Sequence, residues 1–145
     1  MAAYFDSWTQ DQHGDSSGPG HGVTNFLTDD IRVALIDTGT TDPAIATHQD
    51  WADLSSALIG SIVQLLSPAF ALASNLLDFD AADTVIPSVA SGSAEELVLF
   101  DYSSATAATA GLIIQWDSGD VTNLPVTANG GDITVVWHVD GILRF

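Results

Sequence analysis

A succession of short β-branched and apolar runs, each closed by a turn cluster, limits what this chain can fold into more than any other feature. Ile31–Ile36 reads Ile-Arg-Val-Ala-Leu-Ile, and Asp37–Pro43 follows it with turn chemistry. Thr84–Val89, Glu96–Tyr102, Gly111–Trp116, Asp132–His138 and Gly141–Phe145 repeat the pattern, punctuated by Ser91-Gly92, Asp117–Asp120 and Asn129-Gly130-Gly131. Strands of this length and spacing predict a mainly β fold, an antiparallel β-sandwich or barrel. A short helix is expected within His48–Leu58, where Trp51, Leu54, Ala57 and Leu58 share one face. From Ile62 to Leu77 the reading is two strands with a turn between, because Ser67-Pro68 breaks the run. Leu97-Val-Leu-Phe100 is apolar at successive positions, so both faces of that strand must be covered. A small domain is expected to need oligomeric contacts to do this.

At 145 residues the chain is one domain's worth, long enough to bury a core. Residues 6–25 are polar and Gly-rich, which predicts an extended Gly/His-rich N-terminal arm over residues 1–25 before a single β domain over 26–145. The arm is expected either to lie across a neighbouring subunit or to stay disordered.

Charge narrows the function. The 19 acids are all aspartate except Glu95 and Glu96, and they face two bases, Arg32 and Arg144, for a net charge of −17. Such a chain repels phosphate backbones and anionic membranes, so neither nucleic acid nor a membrane is expected as a partner. The acids are spread along the chain, which describes a folded acidic surface that repels itself in ordinary saline. At molar salt the Debye length falls to about 3 Å and the repulsion largely vanishes. Lysine is absent, so a high-salt environment is expected. The start lacks the basic and apolar regions of a signal peptide. Leu54–Leu77 carries no charge and is long enough to span a bilayer, but Gln64, Pro68, Asn75 and several serines favour strands or an assembly surface. Ile62, Leu65, Leu66, Phe70 and Leu72 are the candidate assembly residues.

Catalytic chemistry finds little to work with. Cysteine is absent, which removes thiolate catalysis and cysteine-ligated zinc. His13, His21, His48 and His138 form no His-Glu-x-x-His motif, and the one Gly-x-Ser-x-Gly string, Gly14–Gly18, lies in the polar Gly-rich stretch and not on the strand-to-helix turn that a nucleophile elbow needs. No catalytic residue is expected. Three acidic clusters were candidates for a hard cation such as Ca²⁺ or Mg²⁺, namely Asp29-Asp30, Asp117–Asp120 and Asp78-Phe-Asp-Ala-Ala-Asp83. Asp78, Asp80 and Asp83 are the best metal candidates, and no other cofactor is expected.

The order of segments from Phe26 onward resembles a family of small structural proteins of tailed double-stranded DNA viruses. The resemblance rests on Phe26–Thr38, Ala46–Leu54, Phe79–Asp83 followed by Thr84–Val89, Ala94–Phe100, and above all Leu124–Trp137. This chain departs from the pattern in its Gly/His-rich start, its apolar Ile62–Leu77 and its lack of lysine. The resemblance implies a non-enzymatic virion component on the capsid exterior, and the acidic composition points to a virus of halophilic archaea. The expected function is a capsid decoration or head-associated protein, oligomeric, with the major capsid protein or other virion proteins as partners. A turret, tail or baseplate component is the alternative within that class. A sugar-binding host-adhesion module, using Trp or Asp-bound Ca²⁺, is the alternative outside it.

Overall fold

A computed structural model describes residues 2–13, 21–73, 75–104 and 106–145. The chain opens with β1 (Ala3–Tyr4) and α1 (Asp6–Gln12), followed by β2 (Ile31–Ile36) and α2 (Trp51–Leu54). β3 (Leu58–Gln64), β4 (Ala69–Ala73), β5 (Leu76–Asp80), β6 (Thr84–Ile86) and β7 (Ser93–Ala94) come next. β8 (Glu96–Asp101), β9 (Gly111–Trp116), β10 (Val126–Thr127), β11 (Ile133–Val135) and β12 (Leu143–Arg144) complete the order. The protein is mainly β; among the described residues every strand pairing is antiparallel and no barrel closes.

The main sheet has the order β1-β9-β8-β2-β3, and a second, smaller sheet has the order β12-β5-β4. Two short two-stranded ribbons, β11-β6 and β10-β7, complete the pairing. Alternation along β2 and β8 divides the interior in two. Val33, Leu35, Leu97 and Leu99 pack with Phe79 of β5, Ile86 of β6, Val89 of the loop after it and Leu143 of β12. Ala34, Ile36, Val98 and Phe100 face Phe5, Trp51 and Leu54. Trp51 stacks on Phe100 with ring centroids 4.5 Å apart. Both faces of the central strands are therefore covered by this chain itself, so their continuous apolar runs give no argument for oligomeric contacts.

The N-terminal segment differs from the extended arm expected of it. β1 adds to the edge of the main sheet, with Ala3 opposite Gln115 and Tyr4 opposite Ile114. Phe5 is fully buried and its N–H donates to the Ile113 carbonyl. Asp6 then opens α1, where a carboxylate suits the helix N-terminus. A polar composition hid this because two apolar side chains, Phe5 and Trp8, provide the anchoring. Residues 14–20 of the expected arm lie outside the described residues.

Among the described residues no helix is long and apolar enough to cross a membrane. The uncharged stretch after Leu54 becomes β3, β4 and the start of β5, with the chain turning at Ser67-Pro68. Gly141, at φ +95°, makes the turn that brings β12 onto β5; a side chain there would meet the Phe79 carbonyl oxygen at 2.7 Å.

Candidate assembly surface

The β4-β5 pairing puts Phe70 opposite Phe79 and Leu72 opposite Leu77, and β12 places Leu143 opposite Phe79 on the other side. Cross-strand partners share a face. Phe79 and Leu143 on that face are buried, whereas Phe70, Leu77, Phe145 and Leu72 are 36%, 39%, 46% and 76% exposed. The apolar face thus runs out of the core along the hairpin and ends in solvent. Beside it an open groove of about 500 Å³ is lined by Tyr4 and Trp8 of the N-terminal segment, Phe26, and Phe70, Leu77 and Phe145. Phe26 organises the groove: its ring lies 4.7 Å from Phe79, 5.9 Å from Phe145 and 6.4 Å from Phe70. Tyr4 and Trp8 stack at 5.0 Å, and burial raises the Tyr4 phenol above its ordinary range.

The candidate assembly residues divide. Leu66, Phe70 and Leu72 are exposed, Ile62 is half-buried against the Trp51 side of the core, and Leu65 is 5% exposed within the other core cluster. Leu65 is therefore an interior residue and not part of an assembly surface: its N–H donates to the Ile31 carbonyl, which holds it inward. Leu76, Leu77 and Phe145 belong with the exposed residues. For Leu76 and Leu77 the signal in the sequence is the continuation of the uncharged run into β5; Phe145 carries no such signal.

The candidate metal ligands find protein partners instead of converging. Asp78 receives Arg144 Nε at 2.6 Å and a second guanidinium nitrogen at 3.1 Å. These hydrogen bonds hold its carboxyl below the ordinary carboxylate range. Asp80 accepts from the Ala81 N–H and Asp83 from the Trp137 N–H. Asp29 and Asp117 likewise accept from the backbone N–H groups of Asn25 and Gly119. Among the described residues no group of three or more histidine or acidic side chains is placed to hold a metal ion.

Both bases are held by the chain's own acids. Arg32 pairs with Asp30 at 2.7 Å and lies over the Tyr102 ring at 4.4 Å, so its charge is spent on β2's own margin.

His21 sits between two carboxylates, with Nδ1 3.2 Å from Asp11 and Nε2 2.7 Å from Asp50. Asp50 also caps α2 through a reciprocal box with Asp53. The ring lies against Gly111, where a β-carbon would meet its Cγ at 2.9 Å. Both ring nitrogens are thus engaged, and the arrangement fastens α1, the segment after residue 20 and α2 to β9. Sequence reading placed His21 in a loose arm and missed this clamp; Asp50-Trp-Ala-Asp53 was the one visible trace of it. Trp116 and Trp137 lie 6.1 Å apart and are half-buried, packed against the interior.

No protein-family model matches the chain, and no curated protein matches it. The class defined by fold and surface is an antiparallel β domain with an acidic exterior and a hairpin whose apolar face is exposed.

Proposed function

We propose that the chain is a non-catalytic virion subunit, a decoration or head-associated protein that binds and stabilises the capsid shell of a salt-adapted tailed virus. The observation that carries this reading is the apolar face of the β4-β5 hairpin, left in solvent on a molecule whose net charge is −17. Phe70, Leu72, Leu77 and Phe145 together present on the order of 400 Å², taking roughly 200 Å² for a fully exposed large apolar side chain. Burying that area against a partner contributes on the order of 10 kcal/mol gross, before the cost of association is met. The term persists in concentrated salt, where surface ion pairs are screened. A shell bearing internal pressure in brine needs adhesion of this kind, and the segment resemblance from Phe26 to Trp137 supports the same assignment.

The groove beside the face supports it further, since its rigid aromatic walls suit an apolar side chain from a shell subunit. The test is to count copies per particle by quantitative mass spectrometry of gradient-purified virions from cells carrying the gene. A copy number commensurate with the major shell protein is expected. Presence in multiples of a few would reassign the protein to the turret or tail, and absence from the particle would end the proposal.

A further inference from the structure

The same hairpin has an unpaired edge. Among the described residues β4 pairs with β5 on one side only, which leaves alternate backbone N–H and C=O groups of Ala69–Ala73 without a strand partner. Edge strands are normally protected by charge, proline within the strand, a bulge or a covering element. β4 reads Ala-Phe-Ala-Leu-Ala and has none of the first three: no charged residue, no proline between Ala69 and Ala73, and a regular register against β5.

Its sequence is also close to symmetric about Ala71. In either direction the order is a large apolar residue and then alanine. Phe70 and Leu72 share the apolar face, while Ala71 is exposed on the other. An antiparallel partner centred on Ala71 would therefore set Phe70 against Leu72 of the other strand, and Leu72 against its Phe70, on one face. That is a large apolar cross-strand pair made twice, the favourable kind. An identical strand in two-fold relation satisfies this match at both ends.

We infer that β4 pairs with β4 of a second copy of this chain, joining two three-stranded sheets into one six-stranded sheet about a two-fold axis at Ala71. The seam itself is apolar: Phe70 and Leu72 of β4 expose on the order of 200 Å² per copy. The exposed Ala69 and Ala71 and the unpaired edge backbone of β4 add to what a second β4 would cover. Charge supports self-pairing in brine alone: two bodies of −17 repel at low ionic strength and meet at molar salt across a charge-free seam. The inference shares the proposed function's view of this hairpin as an assembly surface, but it does not require a capsid.

The experiment uses the isolated full chain in molar salt, with no particles present. Across an antiparallel pair, facing Cα atoms lie about 4.5–5.5 Å apart, inside the roughly 4.4–6.8 Å that a disulfide spans. The chain has no cysteine of its own, so Ala71→Cys supplies the single thiol. Sedimentation velocity is expected to show a dimer for the native chain, and mild oxidation to cross-link Ala71→Cys nearly completely. The exposed Ala90→Cys is expected to remain uncross-linked. Leu72→Lys, which buries a charge against Phe70 of the other copy, is expected to sediment as a monomer with an unchanged circular dichroism spectrum. If Leu72→Lys does not fold, cross-linking alone decides. A native chain that stays monomeric at every concentration overturns the inference, as does a dimer in which Ala90→Cys cross-links as well as Ala71→Cys. A dimer that does not bind particles sinks the capsid reading and leaves this one standing.

Discussion

Arg144 donates to both carboxylate oxygens of Asp78 and so fastens the last strand to the middle strand of the smaller sheet. Asp78 is 7% exposed at its side chain, and Arg144 rests half in solvent above it. Phe145 follows directly, so this ion pair also fixes one wall of the aromatic groove.

That pair has a pH signature. The folded carboxyl of Asp78 is held below its ordinary value, chiefly by hydrogen bonds from Arg144. Its stabilisation is therefore present above the unfolded pKa and is lost as pH falls through the depressed folded value. Arg144→Met is expected to raise the Asp78 pKa to the ordinary range or above, because the burial remains when the partner goes. Carboxyl-detected NMR titration in molar salt measures it. An Asp78 pKa unmoved by the substitution would remove the pair from the account.

Glu96 behaves in the opposite sense. Burial, with Asp42, Asp117 and Glu95 nearby, pushes its carboxyl up to about 7. Its Oε2 is buried without a hydrogen-bond partner, as is Gln115 Oε1. By the β8-β9 register these residues are diagonal neighbours on one face, since Gln115 faces Val98. A raised folded pKa gives stability that is full below the unfolded value near 4.5 and is lost as pH rises through about 7. Glu96→Gln should flatten the loss of stability between pH 5 and 8, roughly those bounds being set by the free and folded values. Denaturation midpoints across that range decide it; parallel curves for the two proteins would show that Glu96 carries no such linkage.

Exposure along the apolar face separates core from surface. Phe79 is fully buried between the sheets, so Phe79→Ala is expected to cost about 3–5 kcal/mol. Leu72→Ser, three-quarters exposed on the same face, is expected to change monomer stability by no more than about 0.5 kcal/mol. Denaturant titration of both variants, under conditions where the protein is monomeric, provides the comparison. Equal losses would mean that the hairpin end is packed within the monomer.

The His21 clamp allows a coupling test. Gly111→Ala drives a methyl into the imidazole, which Asp11 and Asp50 hold from both sides. A loss of about 1–3 kcal/mol is expected, the usual cost of overpacking. In a His21→Ala background the same substitution should cost far less, and a double-mutant cycle measures the difference. Additive losses would show that the ring and the glycine do not oppose each other.

Much of the fold was legible because the β signal is local. Ile31–Ile36 and Gly111–Trp116 form strands over the residues their patterns marked, and Ser67-Pro68 breaks the chain where its chemistry says it must. Asp132–His138 shortens to Ile133–Val135 because it pairs only with the brief β6. The N-terminal helix was hidden, since burial of Phe5 against β9 is a long-range contact that a polar window does not record. Long-range pairing also misled the reading of the acids. Spacing alone made Asp78, Asp80 and Asp83 resemble a cation cluster, whereas Asp78 was answered by an arginine 66 residues later. In a chain that keeps only two bases, the one placed in a terminal strand was the stronger clue. Of the exposed apolar face, the uncharged stretch pointed to the hairpin but could not tell buried Leu65 from exposed Leu66.

The most direct measurement of the proposed adhesion through the apolar hairpin is loading of particles. Particles purified from cells carrying the gene are washed at low salt and offered purified chain in molar salt, with bound protein read by co-sedimentation. The native chain is expected to bind the particle, and folded Leu77→Lys to remain in the supernatant. Equal loading of the two would contradict the account.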